Sequence, residues 1–335
     1  MTDVTLSTTE ATDLVARCLS ANGCSKEVAA DVANVIVAAE SDGCPSHGLF
    51  RVPGYVASLR SGKVNGKARP QVETADGRNV VTVDGAGGFA PPALAAARSS
   101  LVELASKRGI AALSIINVFH FSALWTDLEP ICEQGLCALA FTCYLPFVAP
   151  AGGSRPLFGT NPMAFGWPRP RDRPMIFDQA SSVAARGEVM IAARDGRQMR
   201  PDVGIDASGQ PTIDPNEILK GAMLPFGGYK GSGIALMVEL LAGALIGEQF
   251  SFEAGLTDNQ DGGPPRGGEL VIAMVPSLLG GDDALEHAEK LFARMATQPN
   301  VRLPADRRYA NRLRSEADGI TVPKSVLKKV RSLLM

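Results

Sequence analysis

The chain has 335 residues, of which 45% are hydrophobic and 20% charged, and its formal net charge is -2 at pH 7. This length allows a sizeable core and suggests two domains or one large one, and the near-neutral charge offers no basic field for nucleic acid. The expected partners are therefore small molecules, with no nucleic acid.

Composition along the chain also bears on location. No apolar run reaches the roughly 20 uncharged residues that span a bilayer, and the first thirty residues lack a signal peptide's basic start and apolar centre. The sequence therefore predicts a cytoplasmic protein without a membrane segment. The cysteines are scattered and form no C-x-x-C pair, which predicts reduced thiols and neither a disulfide framework nor a metal site. They are Cys18, Cys24, Cys44, Cys132, Cys137 and Cys143.

Helical periodicity dominates the start of the chain. Apolar residues recur at three- and four-residue spacing over residues 7–40, interrupted by Asn22-Gly23, which predicts two helices. A third helix is predicted to begin near Ser46, a favoured N-cap residue, and to end around Ser61-Gly62.

Residues 79–116 have the outline of a strand, a helix and a second strand. The helix begins with prolines, and Gly85, Gly87 and Ala90 match the G-x-G-x-x-A pattern of dinucleotide-binding proteins. No acidic residue follows Ile116 at the end of the second strand, where such proteins hold the ribose. The pattern favours a glycine turn shaped for packing and leaves a pyrophosphate site as the alternative.

The second half alternates short strands with glycine- and proline-rich loops. Strands are predicted within 136–150 and 157–178, and 195–219 is predicted to be a surface hairpin or loop. Residues 232–247 are apolar on all sides and predict a buried helix. After them we expect a mobile loop at 253–267, a strand at 269–275 and a helix at 282–297.

The first candidate site lies in 45-PSHGLFRVPGY-55. On a helix, Arg51 would share a face with His47, with Tyr55 a turn further. An imidazole can hand a proton to a substrate, and a guanidinium fork can grip a carboxylate, so the pair outlines a pocket for a small acid. The alternative is a capping serine, a half-buried histidine and an ion-paired arginine. Ser46 is a poor candidate nucleophile, because G-x-S-x-G is missing.

Two further clusters have the makeup of a pocket wall. His120, Phe121, Ser122 and Trp125 follow an apolar strand and combine polar edges with aromatic walls, although a core histidine among packed aromatics fits the same pattern. Thr160-Asn161 lies between a glycine and a proline, where a polar pair that locks a turn is the alternative.

The last two clusters combine small residues with charge. In 177-FDQASSVAARGEV-189, small side chains would permit close approach by a ligand, and Asp178 or Glu188 could orient His47. In 225-PFGGYKGSGIALM-237, glycines and Lys230 precede a helix N-terminus and suit an anion, with a solvent-facing loop as the alternative.

Together these segments resemble the second family of malate/L-lactate dehydrogenases, which is unrelated to the Rossmann-type lactate dehydrogenases. The resemblance covers nearly the whole chain and implies an α/β (α+β) fold. A non-Rossmann nicotinamide-binding domain, with a seven-stranded, mostly antiparallel sheet, would occupy 76–284. A helical domain would combine 1–75 with 285–335, and the protein would be a homodimer. The matching segments are 42-DGCPSHGLFRVPGY-55, the strand ending in His120-Phe121, 159-GTNP-162, 177-FDQASS-182, 211-PTIDP-215, 225-PFGGYKGSG-233 and 301-VRLPADRR-308.

The segment 120-HFSALW-125 is similar to that of the family's cyclic-imine reductases. This likeness implies reduction of cyclic ketimine carboxylates, with reduction of open-chain 2-oxo acids as one alternative and a catalytically silent nucleotide-binding protein as another. By the same resemblance, His47 is the proton donor supported by Ser46, Arg51 holds the substrate carboxylate, and Thr160 touches the substrate.

One position departs from the subgroup's pattern, because Glu188 stands where the imine reductases carry an aspartate; its relay role with Ser46 and His47 is a hypothesis. The resemblance implies NADPH as cofactor, with NADH as the alternative. The residues implied to contact the cofactor are His120, Phe121, Ser122, Ala123, Leu124, Asp178, Gln179, Ala180, Arg186, Gly187, Lys230, Gly231, Arg302, Leu303, Pro304, Ala305, Asp306 and Arg307.

Overall fold

The computed structural model describes residues 3–334. Its strands are β1 (Asp3–Leu6), β2 (Gln71–Thr74), β3 (Val80–Phe89), β4 (Ile110–Phe119), β5 (Cys137–Thr142), β6 (Met163–Trp167), β7 (Met175–Gln179), β8 (Gly204–Ile205), β9 (Pro211–Thr212), β10 (Ala222–Met223), β11 (Arg266–Met274) and β12 (Ile320–Pro323). Its α-helices are α1 (Thr8–Ala21), α2 (Lys26–Ser41), α3 (Val52–Arg60), α4 (Ala90–Arg108), α5 (Trp125–Cys132), α6 (Arg186–Asp195), α7 (Pro215–Lys220), α8 (Tyr229–Ala242), α9 (Ser251–Thr257), α10 (Pro276–Gly280), α11 (Ala284–Ala296), α12 (Asp306–Asp318) and α13 (Lys324–Arg331).

A seven-stranded sheet forms the centre of the molecule, in the order β2-β3-β4-β11-β5-β6-β7. Only β3 and β4 pair in parallel, and the other neighbours are antiparallel. The predicted mixed fold with a seven-stranded, mostly antiparallel sheet is therefore confirmed. The middle strand, β11, is apolar and fully buried at Val271 and Ala273, as expected of a strand covered on both faces.

The parallel pair is joined by α4, which begins at the predicted prolines and ends at Gly109 with φ 84°. The glycine pattern lies inside β3, where the register shifts between Asp84 and Gly88. A Cβ on Gly85 would lie 2.1 Å from the Val118 side chain, so a side chain there would collide with the neighbouring strand. This close contact accounts for Gly85 by packing alone.

The helical part is built from both ends of the chain. The predicted helices α1 and α2 are confirmed, each with a serine N-cap, Ser7 or Ser25, whose side chain accepts a backbone N–H. Their apolar faces share one core with α3, β12 and α13, and β1 pairs with β12. Neither of these paired strands was predicted, because each is short and its partner lies more than 300 residues away. The division into two domains stays a prediction.

The helix predicted from Ser46 begins later. Residues 45–48 form turns, a 3-10 helix covers Leu49–Arg51, and α3 starts at Val52. Gly48 has the extended angles φ -87° and ψ -145°, which interrupt any helix at this point. Ser46 is therefore not an N-cap, and His47 and Arg51 do not share one regular helix.

The apolar segment 232–247 was predicted to be buried, and this prediction is wrong for one face of it. Leu236 and Leu240 on α8 are about half exposed, and Leu245 just beyond it is 66% exposed. By length and apolar composition, Tyr229–Ile246 would also qualify as a membrane-spanning helix. Its buried face carries Glu239, which binds Asn161 and Ser251, as in a helix packed on a protein core.

The hairpin alternative predicted for residues 195–219 is confirmed, because β8 and β9 pair antiparallel there and join β10 in a small sheet. The same segment also includes most of α7, which was not predicted. The predicted mobile loop at 253–267 overlaps α9 and reduces to residues 258–265. Helices α5, α6, α12 and α13 were not predicted. All six cysteines are free thiols, as expected, and five of them are buried.

Candidate active site

A cavity of about 570 Å³ lies where the Gly43–His47 loop meets the ends of β4 and β7 and the start of α6. Most of the predicted site residues line it, although they come from distant parts of the chain. These are Ser46, His47, Arg51, His120, Phe121, Ser122, Thr160, Asp178, Gln179, Ala180, Arg186, Gly187, Glu188 and Arg307.

Ser46 and His47 form a hydrogen-bonded pair at the edge of the cavity. The Ser46 hydroxyl lies 3.0 Å from His47 Nδ1, so a hydroxyl does reach the ring of its neighbour when both lie in a turn. A hydroxyl can donate to this nitrogen or accept from it, so Ser46 supports either neutral tautomer. The other ring nitrogen, Nε2, is thereby left as a donor in one tautomer and an acceptor in the other.

The charge state of His47 follows from its surroundings. Burial lowers the pKa of His47 to about 3, and the positive charge of Arg51 and the proximity of His120 act in the same direction. His47 is therefore neutral at physiological pH in the unliganded protein. A ligand carboxylate beside Arg51 would offset that positive charge and favour protonation.

Arg51 is held in place by two contacts and by its burial. Its Nε donates to the backbone carbonyl of Ser46 at 2.6 Å, its guanidinium lies 4.4 Å from the centre of the Phe121 ring, and the side chain is buried. A Cβ on Gly187 would come within 3.0 Å of Arg51 Nη2, so the glycine leaves room for the guanidinium. These contacts fix a positive fork beside His47, as carboxylate binding requires.

Trp125 forms a wall of the cavity and is fixed from behind. Its ring meets the His47 ring edge-on at 6.3 Å, and its indole N–H donates to Asp42 at 3.0 Å. Asp42 is fully buried, and its two carboxylate oxygens accept hydrogen bonds from Arg312 Nε and Nη2, each at 2.8 Å. Arg308, also on α12, lies over the indole at 4.9 Å. Helix α12 therefore fixes a flat surface beside His47.

The segment after β4 enters the site only in part. His120, Phe121 and Ser122 line the cavity, whereas Ala123 and Leu124 are buried in apolar clusters behind it. Structural packing thus explains two of the five residues that were predicted to contact cofactor here.

Asp178 is the last residue but one of β7 and lies beside this segment. One of its carboxylate oxygens accepts the backbone N–H of Trp125 at 3.3 Å. Burial raises the pKa of Asp178 to about 6, although that hydrogen bond and Arg308 favour the charged form. Asp178 therefore helps to fix the turn that carries Trp125, and no hydrogen bond joins it to His47 in the described structure.

Arg186 and Gly187 are brought to the cavity by the start of α6. The Arg186 guanidinium stacks over the Phe147 ring at 3.2 Å, and burial lowers its pKa to about 10 while leaving it charged at neutral pH. With Arg51, Arg197, Arg307 and Arg308 it gives the cavity five positive side chains. Anionic ligands are favoured by this charge.

Glu188 lines the cavity but does not complete a relay in this structure. Its carboxylate accepts the backbone N–H of Ala185 at 3.3 Å, which caps α6. No hydrogen bond joins it to Ser46 or His47 among the described residues. Helix capping therefore accounts for an acidic residue at this position.

Replacing Glu188 by glutamine distinguishes a helix-capping role of Glu188 from a role in a proton relay with Ser46 and His47. A glutamine side chain can accept the same N–H, so a cap predicts that kcat changes less than about twofold. A relay predicts a loss in kcat of about a hundredfold or more with little change in KM, because the ionisable group is gone. Steady-state kinetics decide, and Glu188→Ala is the control that removes both functions.

Thr160 and Asn161 have different roles. Thr160 lines the cavity, and its carbonyl accepts both the N–H and the hydroxyl of Ser181. Asn161 is fully buried with φ 37° and bonds Tyr144, Ser251 and Glu239. The turn-locking alternative is thus correct for Asn161, and only Thr160 is open to a ligand.

The remaining predicted cofactor contacts lie outside the cavity. Lys230 is exposed in the first turn of α8, and Gly231 is buried against the carbonyls of Phe226 and Ser181. Arg302, Leu303, Pro304, Ala305 and Asp306 lie on the turn that precedes or begins α12. Contact of these residues with a cofactor stays a prediction.

Several lining residues were missed by sequence reasoning. Thr142 and Tyr144 come from the end of β5, where no polar cluster marks the sequence. Phe121 stacks on Tyr144 at 6.1 Å, so the aromatic wall continues across two strands. Only the sheet order, in which β4 and β5 flank β11, brings these residues together.

A second cavity of about 760 Å³ lies on the other side of Arg51 and Phe121. It is larger, but its lining is mainly apolar and includes neither His47 nor His120. The smaller cavity combines an imidazole, a fixed guanidinium and a flat aromatic wall. We therefore assign the chemistry to the smaller one.

Comparisons with known proteins agree with this arrangement. A family model described as malate/L-lactate dehydrogenase matches residues 6–331. The chain is 48% identical to the delta(1)-pyrroline-2-carboxylate reductase of Ancylobacter novellus, with 98% of this chain and 97% of that protein covered. It is 45% identical to the delta(1)-pyrroline-2-carboxylate/delta(1)-piperideine-2-carboxylate reductase of Pseudomonas putida, over 97% and 96% of the two chains. The crystal structure of delta1-piperideine-2-carboxylate reductase from Pseudomonas syringae superimposes with a TM-score of 0.93 at 45% identity, covering 98% of this chain and 99% of that one.

Proposed function

The chain belongs to the malate/L-lactate dehydrogenase family, and we propose that it is an oxidoreductase that reduces cyclic ketimine carboxylates with a nicotinamide cofactor. The products would be L-proline from Δ1-pyrroline-2-carboxylate and L-pipecolate from Δ1-piperideine-2-carboxylate. Relatives named for these two activities share 43–48% identity with nearly the whole chain, which supports the proposal.

The observation that carries the proposal is the convergence of His47, Arg51 and Trp125 on one cavity. Arg51 offers a fixed fork for the carboxylate, Trp125 offers a flat surface for a planar ring, and His47 lies next to both. A substrate held by its carboxylate and its ring face has its C2 atom and ring nitrogen in a defined place. Fixing the reacting atoms in this way lowers the entropic part of the barrier.

The neutral state of His47 defines its role. A cyclic imine can enter protonated, as an iminium, and a neutral imidazole accepts the hydrogen bond of its N–H through Nε2. Nδ1–H then donates to Ser46 Oγ, which the 3.0 Å distance allows. His47 therefore keeps the ring nitrogen protonated while Arg51 aligns the carboxylate. When bound, a reduced nicotinamide supplies the hydride that adds to C2.

The polar and positive side chains that line the cavity also fit a nicotinamide cofactor. Ser122, Thr160 and Gln179 offer groups for an amide, and Arg186 and Arg307 offer positive charge for phosphates. We propose that the cofactor binds here rather than at the glycines of β3, where Gly85 packs against Val118. NADPH is the proposed preference, because Arg307, Arg308 and the nearby Arg302 suit an additional phosphate, and NADH is the alternative.

Two other functions would use the same cavity. An open-chain 2-oxo acid such as pyruvate needs the same carboxylate clamp, and His47 in its other tautomer could donate to the carbonyl oxygen. The flat wall at Trp125 favours the ring. A nucleotide-binding protein without catalysis is the other alternative, and the intact Ser46-His47 pair beside Arg51 argues against it.

The proposal is tested by measuring the rate of NADPH oxidation with four substrates at matched concentrations. They are Δ1-pyrroline-2-carboxylate, Δ1-piperideine-2-carboxylate, pyruvate and oxaloacetate. We expect kcat/KM for the cyclic imines to exceed that for the oxo acids by at least about a hundredfold, the cost of losing roughly 3 kcal/mol of ring contacts. The same series with NADH measures the cofactor preference. A higher kcat/KM with the oxo acids would contradict the assignment, and tight NADPH binding without turnover would support the silent protein.

The exposed apolar face of α8 bears on assembly, and we propose that it joins two copies of the chain. Leu236 and Leu240 on α8, Leu245 just beyond it and Leu256 on α9 are 49–82% exposed within one short stretch of sequence, which is unusual for a surface in water. We expect light scattering to give the mass of a dimer and Leu240→Glu to give that of a monomer. Leu291→Glu, at an exposed leucine on α11, is the control and should leave the dimer intact. A monomeric wild type would contradict the proposal.

The predicted cytoplasmic location also remains a proposal. It is supported by the six free thiols, which fit a reducing compartment.

A further inference from the structure

Three ionisable side chains are buried together behind the cavity, at His120. Nε2 of His120 lies 2.9 Å from Glu269 Oε2 and 3.9 Å from Asp127 Oδ2. Glu269 in β11 has no exposed surface, and Asp127 in α5 and His120 are 2% and 3% exposed. The roles proposed so far use neither Asp127 nor Glu269. A cluster of this kind needs a physical account, because buried carboxylates are costly unless they are paired.

The cluster cannot hold two ionised carboxylates beside a neutral imidazole. Asp127 Oδ2 and Glu269 Oε1 have no hydrogen-bond partner among residues 3–334. Burial raises the pKa of Glu269 to about 8, with Asp178 acting in the same direction. Burial also raises the pKa of Asp127 well above its ordinary value and lowers that of His120.

The charged groups around the cluster do not reverse the directions of these pKa shifts. Arg98 on α4 favours an ionised Asp127, and Asp178 on β7 favours a charged His120. Tyr55 on α3 interacts with Asp127, the neutral His47 interacts with His120, and the charged Arg51 lies near both Tyr55 and His47. Burial outweighs each of these influences, so at neutral pH Glu269 retains a proton that it can share with His120.

We propose that Glu269 is a positioning residue that decides which ring nitrogen of His120 carries the proton, and hence whether the cavity meets a hydrogen-bond donor or an acceptor. A protonated Glu269 donates its O–H to Nε2, which places the imidazole proton on Nδ1. An ionised Glu269 instead accepts from Nε2–H, which leaves a lone pair on Nδ1. No described residue bonds Nδ1, and His120 lines the cavity.

The donor form suits the ligands of the proposed function, on which this inference rests. The amide oxygen of a nicotinamide and the carboxylate of a substrate are both acceptors, so Nδ1–H can hold either one. Ionisation of Glu269 near pH 8 therefore replaces a favourable contact by a repulsion between lone pairs. Binding of the ligand that faces His120 should weaken as the pH rises through this value.

Glu269→Gln separates this role from a structural one. The glutamine amide can donate N–H to Nε2 at every pH and cannot ionise, so it allows the Nδ1–H form throughout and removes the titration. For the wild type we expect kcat/KM to fall roughly thirtyfold between pH 7 and pH 9.5, as one group titrating at about pH 8 gives. For Glu269→Gln we expect this fall to be reduced to about twofold. Taking the ratio of the two profiles cancels the ionisation of the substrate itself.

Two measurements show whether His120 contacts the cofactor or the substrate. The pH dependence of the NADPH dissociation constant reports a cofactor contact and remains measurable even if the protein does not reduce imines. A pH dependence confined to kcat/KM for the imine reports a substrate contact. Glu248→Gln is the matched control, because it makes the same chemical change in a loop next to β11. There the Glu248 carboxylate accepts the backbone N–H of Asn117. This variant should keep the wild-type pH profile.

Direct observation of the tautomer makes the test independent of the variant's folding. The chain has only three histidines, so ¹⁵N-histidine NMR of the wild type with NADPH can follow His120 after assignment with His287→Ala and His47→Ala. We expect Nδ1–H at pH 7 and Nε2–H above about pH 8. An Nε2–H tautomer at pH 7 would overturn the proposal. So would a stoichiometric divalent metal lost in Glu269→Gln, or an equal loss of activity at every pH in that variant.

Discussion

Replacing His47 by alanine is expected to lower kcat for the cyclic imines by about a thousandfold while NADPH still binds. The imidazole is the group that can hold the proton on the ring nitrogen, and positioned acid–base groups contribute roughly 10²–10⁴ in rate. Cofactor binding should survive, because the arginines that suit the phosphates come from α6 and α12. Single-turnover reduction and NADPH fluorescence measure the two effects separately.

The chemical role of His47 is resolved by a second variant. Glutamine at position 47 can accept a hydrogen bond but cannot transfer a proton, so it should retain a larger share of activity than alanine if His47 only holds the iminium. Equal losses in both variants would point to proton transfer. The lowered pKa of His47, about 3, also predicts no change in kcat/KM from this group between pH 5 and 8. His287→Ala, on the exposed face of α11, is the control, and normal turnover of His47→Ala would remove His47 from the mechanism.

The convergence of the site residues was predictable from residue chemistry and resemblance, but its geometry was not. The sequence indicates which residues bear the chemistry: the Ser46-His47 pair, Arg51, part of the turn after β4 and Ala180 before α6 all line one cavity. The helical geometry invoked for His47 and Arg51 was wrong, because Gly48 is extended. Arg51 reaches the site instead through its hydrogen bond to the Ser46 carbonyl.

Other parts of the site depend on contacts that leave no local signal. Glu269 is an acid within an apolar strand, and only the pairing of β11 with β4 brings it to His120. Arg312 lies 270 residues from Asp42, yet it fixes the carboxylate that binds the Trp125 indole. Periodicity reports which face of an element is apolar, and it carries no information about which distant polar group lies opposite. This limit explains why the predicted fold was more complete than the predicted site.

The exposed face of α8 shows that apolar residues, too, do not reveal from sequence what they pack against. A helix that is apolar all round is expected to be buried within its own chain. Here Leu236 and Leu240 remain exposed, while Val238 and Ala242 pack on the sheet. Apolar composition indicates that a helix face will be shielded from water, but it does not indicate whether the atoms that shield it come from the same chain.

Replacing Arg51 by methionine is expected to lower kcat/KM for the cyclic imines by roughly 10²–10⁴. Two charge-assisted hydrogen bonds to a carboxylate are worth about 1.5–3 kcal/mol each, and their loss is felt in both binding and alignment. Methionine keeps much of the side chain's apolar contact with Phe121, so the loss reports the guanidinium itself. Arg51→Lys keeps the charge without the planar fork, and we expect it to recover only part of the lost activity.

The partition of this loss between kcat and KM distinguishes binding from alignment. If Arg51 only attracts the substrate, KM rises and kcat is preserved; if it also aligns C2 with the nicotinamide, kcat falls as well. We expect both to change, because the guanidinium is held against Phe121 and by the Ser46 carbonyl beside the His47 ring. Arg60→Met, on the adjoining helix α3 and hydrogen-bonded to Asn22 outside the cavity, should leave kcat/KM within about twofold. An unchanged kcat/KM in Arg51→Met would show that another arginine, such as Arg186, holds the carboxylate.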